Sequence, residues 1–331
     1  MSVSRNFIHI VKNVAGTAIL SAACFFAASC GSGPDLNAEA SSGAAVGSQS
    51  SKAAASKAVP RMFWTLGSPS GGKLYLQGTL HLGSDELFPF NVQVTDSMKS
   101  ADIVLGELSS ADLDRSQSLI LERMSFALLD KNRTLNELLS ADERAYLESF
   151  LGKEALRNLS LFMPWVAYSY LDSIAAAKAG LDVGKGVDMA LYSVAAELGK
   201  AVGGLESVES QLDLLTGPQL STQLLVLKDA IREYKGYPDA INELYAAYRA
   251  DDRKKLSTLI DLSLARSEAY SAELGKFNDS IYGKRNAAWA AKLSKLLDEG
   301  KSIFVFAGVA HFVGAGNVID LLVKRGYTLY P

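Results

Sequence analysis

The chain has 331 residues, 48% of them hydrophobic and 21% charged, with a formal net charge of −3. That is the composition of a folded globular protein, long enough for one large domain or two ordinary ones. A mildly acidic balance without a basic cluster lacks the electrostatic footprint of nucleic-acid binding, and two cysteines are too few for a disulfide framework.

At the start of the chain, Arg5 and Lys12 precede an uncharged run from Val14 to Ala28. A basic segment, a short apolar stretch and then small residues is the pattern of a secretory signal peptide. The run is shorter than the roughly 20 residues of a spanning helix. Both cysteines, Cys24 and Cys30, lie in or at the edge of this segment, so the folded part is expected to contain none. Cys30 stands between Ala27-Ala28-Ser29 and Gly31-Ser32-Gly33, a small-residue context that resembles a bacterial lipoprotein processing site. Such sites usually carry Leu three residues before the cysteine, where this chain has Ala27. Cys24, with Leu20 four residues upstream, is the alternative, and cleavage without lipidation a third reading. The expectation is a signal segment over residues 1–30 ending at a lipidated (palmitate-bearing) Cys30, and a Gly/Ala/Ser-rich tether over residues 31–60. Such a tether has too little apolar area to offset its ordering entropy. The protein is thereby expected to be exported to the bacterial cell envelope and held to a membrane by its lipid anchor.

The folded part is expected over residues 61–331. Met62–Leu66 and Lys73–Gln77 are β-prone runs around Ser68-Pro69-Ser70-Gly71-Gly72, the composition of a hairpin. A helix over Val92–Ser100 and a strand over Ile103–Leu105 follow. From about residue 111 to 300 the spacing becomes helical, clearest over Glu154–Leu161, Pro164–Ala179 and Ala287–Leu297. One interruption, Lys200–Gly204, reads as a further strand. Ser302–Ala307 is a buried-strand run, Val318–Lys324 a helix and Tyr327–Tyr330 a last strand. The predicted class is α+β, a central mixed sheet built from both chain ends with a large helical insertion between them.

The two ends share an order of events. Lys73 to His81 reads strand, Gly78, two residues, His81; Lys301 to His311 reads strand, Gly308, two residues, His311. His81 and His311 are the only histidines outside the signal segment, which holds His9. Imidazole is the commonest metal ligand and titrates near neutrality, and a strand's C-terminal end is where open α/β sheets bind ligands. Each glycine suits a sharp turn or a close backbone approach. Glu107, after Ile103-Val104-Leu105-Gly106, is the natural third member. A carboxylate there needs a proton, a cation or a metal as partner. Two His and one Glu could ligate a divalent metal with open positions, or use Glu107 as general base on water. The ligand set does not choose among Mn²⁺, Co²⁺ and Zn²⁺. No H-E-x-x-H helix, P-loop or Rossmann glycine pattern is present.

These segments together resemble the TraB/GumN family, which includes Tiki-type proteases and pheromone-shutdown proteins. The likeness runs from Phe63-Trp64 through Leu74–His81 and Ala101–Glu107 to Phe306–Phe312 and Gly326-Tyr327. Looser matches lie at Gly186-Val187-Asp188, Gly204-Leu205-Glu206 with Gln211, and Arg285-Asn286 before Trp289. The resemblance implies an erythromycin-esterase-like fold and, in Tiki-type members, a metal-dependent peptidase. It assigns catalytic and metal-binding roles to His81, His311 and Glu107, adds Arg285 and Asn286, and leaves Asp188 and Glu206 to orient the histidines. Lys284 stands where the family usually has an acidic residue. The expected partner is a peptide or protein substrate. The alternative is a surface lipoprotein that sequesters a peptide or haem-like ligand without turnover.

Overall fold

The computed structural model describes residues 61–130 and 133–331. The expected signal segment, Cys24, Cys30 and the tether lie outside the described residues. Strands β1 (Phe63–Gly67) and β2 (Lys73–Thr79) form the expected hairpin, pairing antiparallel around a turn in which Gly71 takes a φ of +89°. Helix α1 (Val92–Ser100) starts where the Asn91 side chain accepts the Gln93 N–H at 2.8 Å, and β3 (Ile103–Gly106) follows.

The helical part begins with α2 (Ser110–Ser125), capped by Ser109, and continues through α3 (Leu135–Leu138) and α4 (Ala141–Leu151). A reciprocal Ser140–Glu143 capping box opens α4. Then come α5 (Lys153–Leu159), α6 (Pro164–Lys178) with Pro164 in its first turn, and α7 (Val187–Glu197). Strand β4 (Val202–Gly204) is the interruption read from the sequence. Helices α8 (Val208–Thr216), α9 (Leu220–Gly236), α10 (Ala240–Arg249), α11 (Arg253–Tyr270), α12 (Ala272–Ile281) and α13 (Gly283–Asp298) complete this part. The chain closes with β5 (Ser302–Gly308), α14 (Val318–Lys324) and β6 (Thr328–Tyr330).

Among the described residues six strands form one sheet in the order β4-β3-β5-β2-β1-β6. β2 pairs parallel with β5, β5 with β3 and β3 with β4, while β1 runs antiparallel to both β2 and β6. The sheet is therefore mixed and draws its central pair, β2 and β5, from opposite ends of the chain. Their register sets Gly78 opposite Ala307 and Thr79 opposite Gly308, so both G-x-x-H segments leave the same edge side by side.

Two apolar cores result. One packs the sheet, with Phe304 and Phe306, against Met98, Leu191, Trp289 and Ile319. The other lies within the helical part, around Ile120, Leu147, Leu171, Leu227 and Ile281. Among the described residues no helix is long and apolar enough to cross a membrane. In the helical core, Asp172 on α6 is 8% exposed and accepts the Tyr234 hydroxyl at 2.5 Å. Burial raises its carboxyl to about 7, against the lowering effect of the Tyr234 and Tyr168 hydroxyls.

The folded state thus holds this proton more tightly than the unfolded chain, whose ordinary value is 3.8. The stabilisation is full below the unfolded value and is lost as pH rises through about 7. Asp172→Asn keeps an acceptor for Tyr234 and removes the titration. Its melting temperature should exceed that of the wild type by several degrees, about 2 °C or more per kcal/mol, at pH 8. Below about pH 4, under the unfolded value, the two should converge, and a difference independent of pH would remove Asp172 from this role.

Candidate active site at the parallel strand ends

The chemistry-bearing side chains collect at the C-terminal ends of β2, β3 and β5. Glu107 directly follows β3, His81 lies just beyond β2, and His311 closes a single 3₁₀ turn after β5. Helix α7 brings Asp188, the first turn of α13 brings Arg285 and Asn286, the segment after β4 brings Glu206, and α8 brings Gln211. The periodicity start at Ala287 falls short of the true one, because α13 begins at Gly283 and holds Arg285 and Asn286 buried within it.

Arg285 is 6% exposed, and every one of its nitrogens is paired. Nε donates to both oxygens of Glu206 at 3.0 and 3.1 Å, and Nη1 to the Ile281 carbonyl at 3.0 Å and to His311 Nε2 at 3.1 Å. Nη2 donates to Glu107 Oε2 at 2.8 Å and to Glu206. Gln211 Nε2 also donates to both carboxylates, at 2.9 Å and 2.7 Å. The other oxygen of Glu107 accepts the Gly308 backbone N–H at 2.8 Å. Burial alone would raise the Glu107 pKa, but the Arg285 charge, aided by His311 and His81, holds it down at about 2. Glu107 is therefore a carboxylate.

The two histidines are in different states. His311 is fully buried between the rings of Trp289 and Tyr282, at 4.3 and 5.5 Å. Asn286 donates its Nδ2 to the Gly316 carbonyl at 3.1 Å, which turns its Oδ1 toward His311 Nδ1 at 2.6 Å. His311 Nδ1 thus carries the proton and Nε2 accepts from Arg285. Burial and the adjacent Arg285 push its pKa down to about 3, so the ring is neutral. His81 has Nδ1 3.0 Å from Asp188 Oδ2 and Nε2 3.9 Å from Glu107 Oε1. Burial works against its charged form, yet Asp188 and then Glu107 raise its pKa above the ordinary value.

Nδ1 of His81, although 3.0 Å from Asp188 Oδ2, makes no aligned hydrogen bond, and both ring nitrogens are buried without a hydrogen-bond partner. So are Thr79 Oγ1, Asp188 Oδ1 and Gln211 Oε1, and all four residues line one cavity of ≈20 Å³ with Glu107 and Tyr192. About 10–15 Å³ of such space holds one water. Thr79 and Tyr192 are additions to the residues singled out from the sequence. Thr79 is the first residue between Gly78 and His81, and Tyr192 lies one helical turn beyond Asp188, so each was legible only by its spacing. The glycines differ in their reasons. A Cβ on Gly78 would lie 2.8 Å from Val309, a close approach as expected. Gly308 has an ordinary φ of −48°, and its contribution is the N–H given to Glu107 rather than a turn.

The expected three-ligand metal set meets a different arrangement. His81 Nε2 and Glu107 face each other, but His311 Nε2 is engaged by Arg285 and both oxygens of Glu107 already accept N–H donors. Among the described residues no three His, Cys, Asp or Glu side chains form a group that could hold a metal ion. The physical reason is Arg285, a buried cation that needs the acceptors a metal would take. In this arrangement His81, His311 and Glu107 do not fit one metal centre.

The sequence matches the TraB/PrgY/gumN family over residues 62–331. An uncharacterized protein of Treponema pallidum (strain Nichols) is 31% identical over 273 residues, spanning 80% of this chain and 81% of that protein. The uncharacterized protein YbaP of Escherichia coli (strain K12) is 26% identical over 259 residues, 77% of this chain and 89% of its own length. Metalloprotease TIKI2 of Danio rerio is 28% identical over 161 residues, 43% of this chain and 31% of its own. No solved structure matches the chain.

Removing the guanidinium would leave the buried Glu107 and the half-buried Glu206 without a counter-charge. Arg285→Met should lower stability by about 3–5 kcal/mol, read as a fall in the denaturant midpoint. Glu206→Gln should cost less, because Arg285 keeps Glu107. A loss below about 1 kcal/mol for Arg285→Met would show that the pair contributes no more than a surface ion pair.

Proposed function

The chain belongs to the TraB/PrgY/gumN family, and from that membership and the site's chemistry we propose that it is a hydrolase of peptide bonds. The observation that carries this reading is the buried, unpartnered Nε2 of His81 facing a water-sized cavity beside Glu107. Asp188 lies 3.0 Å from the opposite ring nitrogen, and its charge acts on the ring from that side. In its neutral form His81 takes a proton from a water held there as hydroxide attacks the peptide carbonyl carbon. The same proton then passes from His81 to the leaving amine as the C–N bond breaks. Thr79 and Gln211 orient the water, one by its hydroxyl and the other by its amide oxygen. Arg285, with all its donors committed, contributes a fixed positive charge in a low-dielectric site where oxyanion charge develops. His311 stays neutral and, with Asn286, holds Arg285 in place.

The similarity to metalloprotease TIKI2 of Danio rerio makes metal content the first quantity to measure for this chain. His81, His311 and Glu107 do not converge on one centre, and the proton transfers through His81 need no metal. The lipid anchor at Cys30 belongs to the same proposal: it would hold a peptidase at a membrane surface, and labelled-palmitate incorporation lost in Cys30→Ser but kept in Cys24→Ser would support it.

The wild-type protein should cleave members of a peptide library in buffer supplemented with Mn²⁺, Co²⁺ or Zn²⁺. His81→Ala and Glu107→Gln should each lower the rate by at least about 100-fold. Thr79→Val should lower kcat with KM held, and Thr79→Ser should restore it. No cleavage under any of these ions would sink the hydrolase reading.

A further inference from the structure

Beside the His81 cavity lies a second, larger feature, a groove of ≈1080 Å³ walled by the segment after β2, by α2 and by α7. Leu113 lines both spaces, so the groove and the cavity lie on either side of one side chain. Helix α7 makes the same connection. Asp188 and Tyr192, four residues apart, face the cavity, while Met189, Ser193 and Glu197, again at four-residue spacing, line the groove on the neighbouring stripe. Its apolar walls include Phe88 and Phe90, whose rings meet edge-to-face at 5.4 Å, together with Leu113, Met189 and Val194.

The charges along the groove are one-sided. Lys185 is its only basic lining residue among those described, and Asp85 pairs with it at 2.7 Å. Asp114 and Glu197 are exposed, and neither has an ion-pair partner among the described residues. Two carboxylates therefore stand uncompensated over an apolar floor.

We propose that this groove is the substrate cleft of the site and takes an extended peptide carrying a Lys or Arg beside an aromatic or large aliphatic side chain. This rests on the peptide-hydrolase reading for turnover but not for binding. The apolar side chain packs among Phe90, Leu113 and Met189, and the cation lies toward Asp114 and Glu197. A peptide with the opposite charge meets repulsion from both carboxylates, so the groove selects as well as attracts.

The test uses fluorescence polarisation on the purified protein with two labelled octapeptides, one with a central Lys-Phe pair and one with Glu-Phe. At low salt the Lys-Phe peptide should bind about tenfold more tightly, and the preference should shrink at high ionic strength, because exposed charges are screened. The double variant Asp114→Lys, Glu197→Lys should reverse the preference, while Met189→Ala should weaken both peptides without changing their ratio. Equal affinities, or a preference that survives charge reversal, would overturn the groove assignment. Charge-selective binding without cleavage overturns only the hydrolase reading, and cleavage without charge selectivity overturns only the cleft. Absence of both binding and cleavage overturns both.

Discussion

The site is organised around a buried guanidinium. A cation taken out of water costs several kcal/mol unless its donors are all met, and Arg285 meets that demand with two carboxylates, a carbonyl and a ring nitrogen. These acceptors come from the end of β3, the segment after β4, α12 and the turn after β5. One side chain therefore ties the sheet to the helical part. It also decides protonation: its charge keeps Glu107 ionised and helps keep His311 neutral. The stacked Trp289 ring, 4.8 Å from the guanidinium carbon, completes the enclosure.

Parallel pairing supplies the geometry that this cation needs. Because β5 lies between β2 and β3, the chain leaving β5 can reach both neighbours. Its last residue, Gly308, gives its N–H to Glu107 beyond β3, while Val309 packs against Gly78 of β2. A side chain at residue 78 would push these strand ends apart. The helical part contributes the opposite wall with Asp188, Gln211 and Arg285, so neither chain end nor insertion holds the site alone. His311 marks the seam, its ring lying between Trp289 of the sheet core and Tyr282 of the helical core.

Much of this was legible in the sequence because strand runs and their glycines are local signals. The hairpin, the Val92–Ser100 helix and β3 through β5 follow from patterns a few residues long. What was not legible is pairwise and long-range. Nothing local says that Arg285 takes the lone pair of His311, 26 residues away, or that Glu107 receives a backbone N–H from Gly308, 201 residues away. The start of α13 was also hidden, since Gly283 and the buried polar pair Arg285-Asn286 blur the apolar periodicity that begins at Ala287. Thr79 escaped notice for a related reason: a threonine at a strand end is unremarkable until its hydroxyl is seen buried and unpaired.

Glu107, Glu206 and Asp188 bring three carboxylates to the site, and among the described residues Arg285 is its one permanent cation. The atoms left unpaired around the cavity are acceptors, apart from the Thr79 hydroxyl, which can also donate, and the one ring nitrogen of His81 that carries a proton. A space so lined rejects anions and favours whatever brings protons or positive charge: a water donating two hydrogen bonds, or a cation. The raised pKa of His81 is the same imbalance seen from the protein side, since protonating the ring is one way to add positive charge. The neutral His81 needed to accept a proton from water is thus held in an environment that favours its protonated form. A proton taken from water would be received readily there, and its release to a leaving amine would be the more demanding half of the cycle.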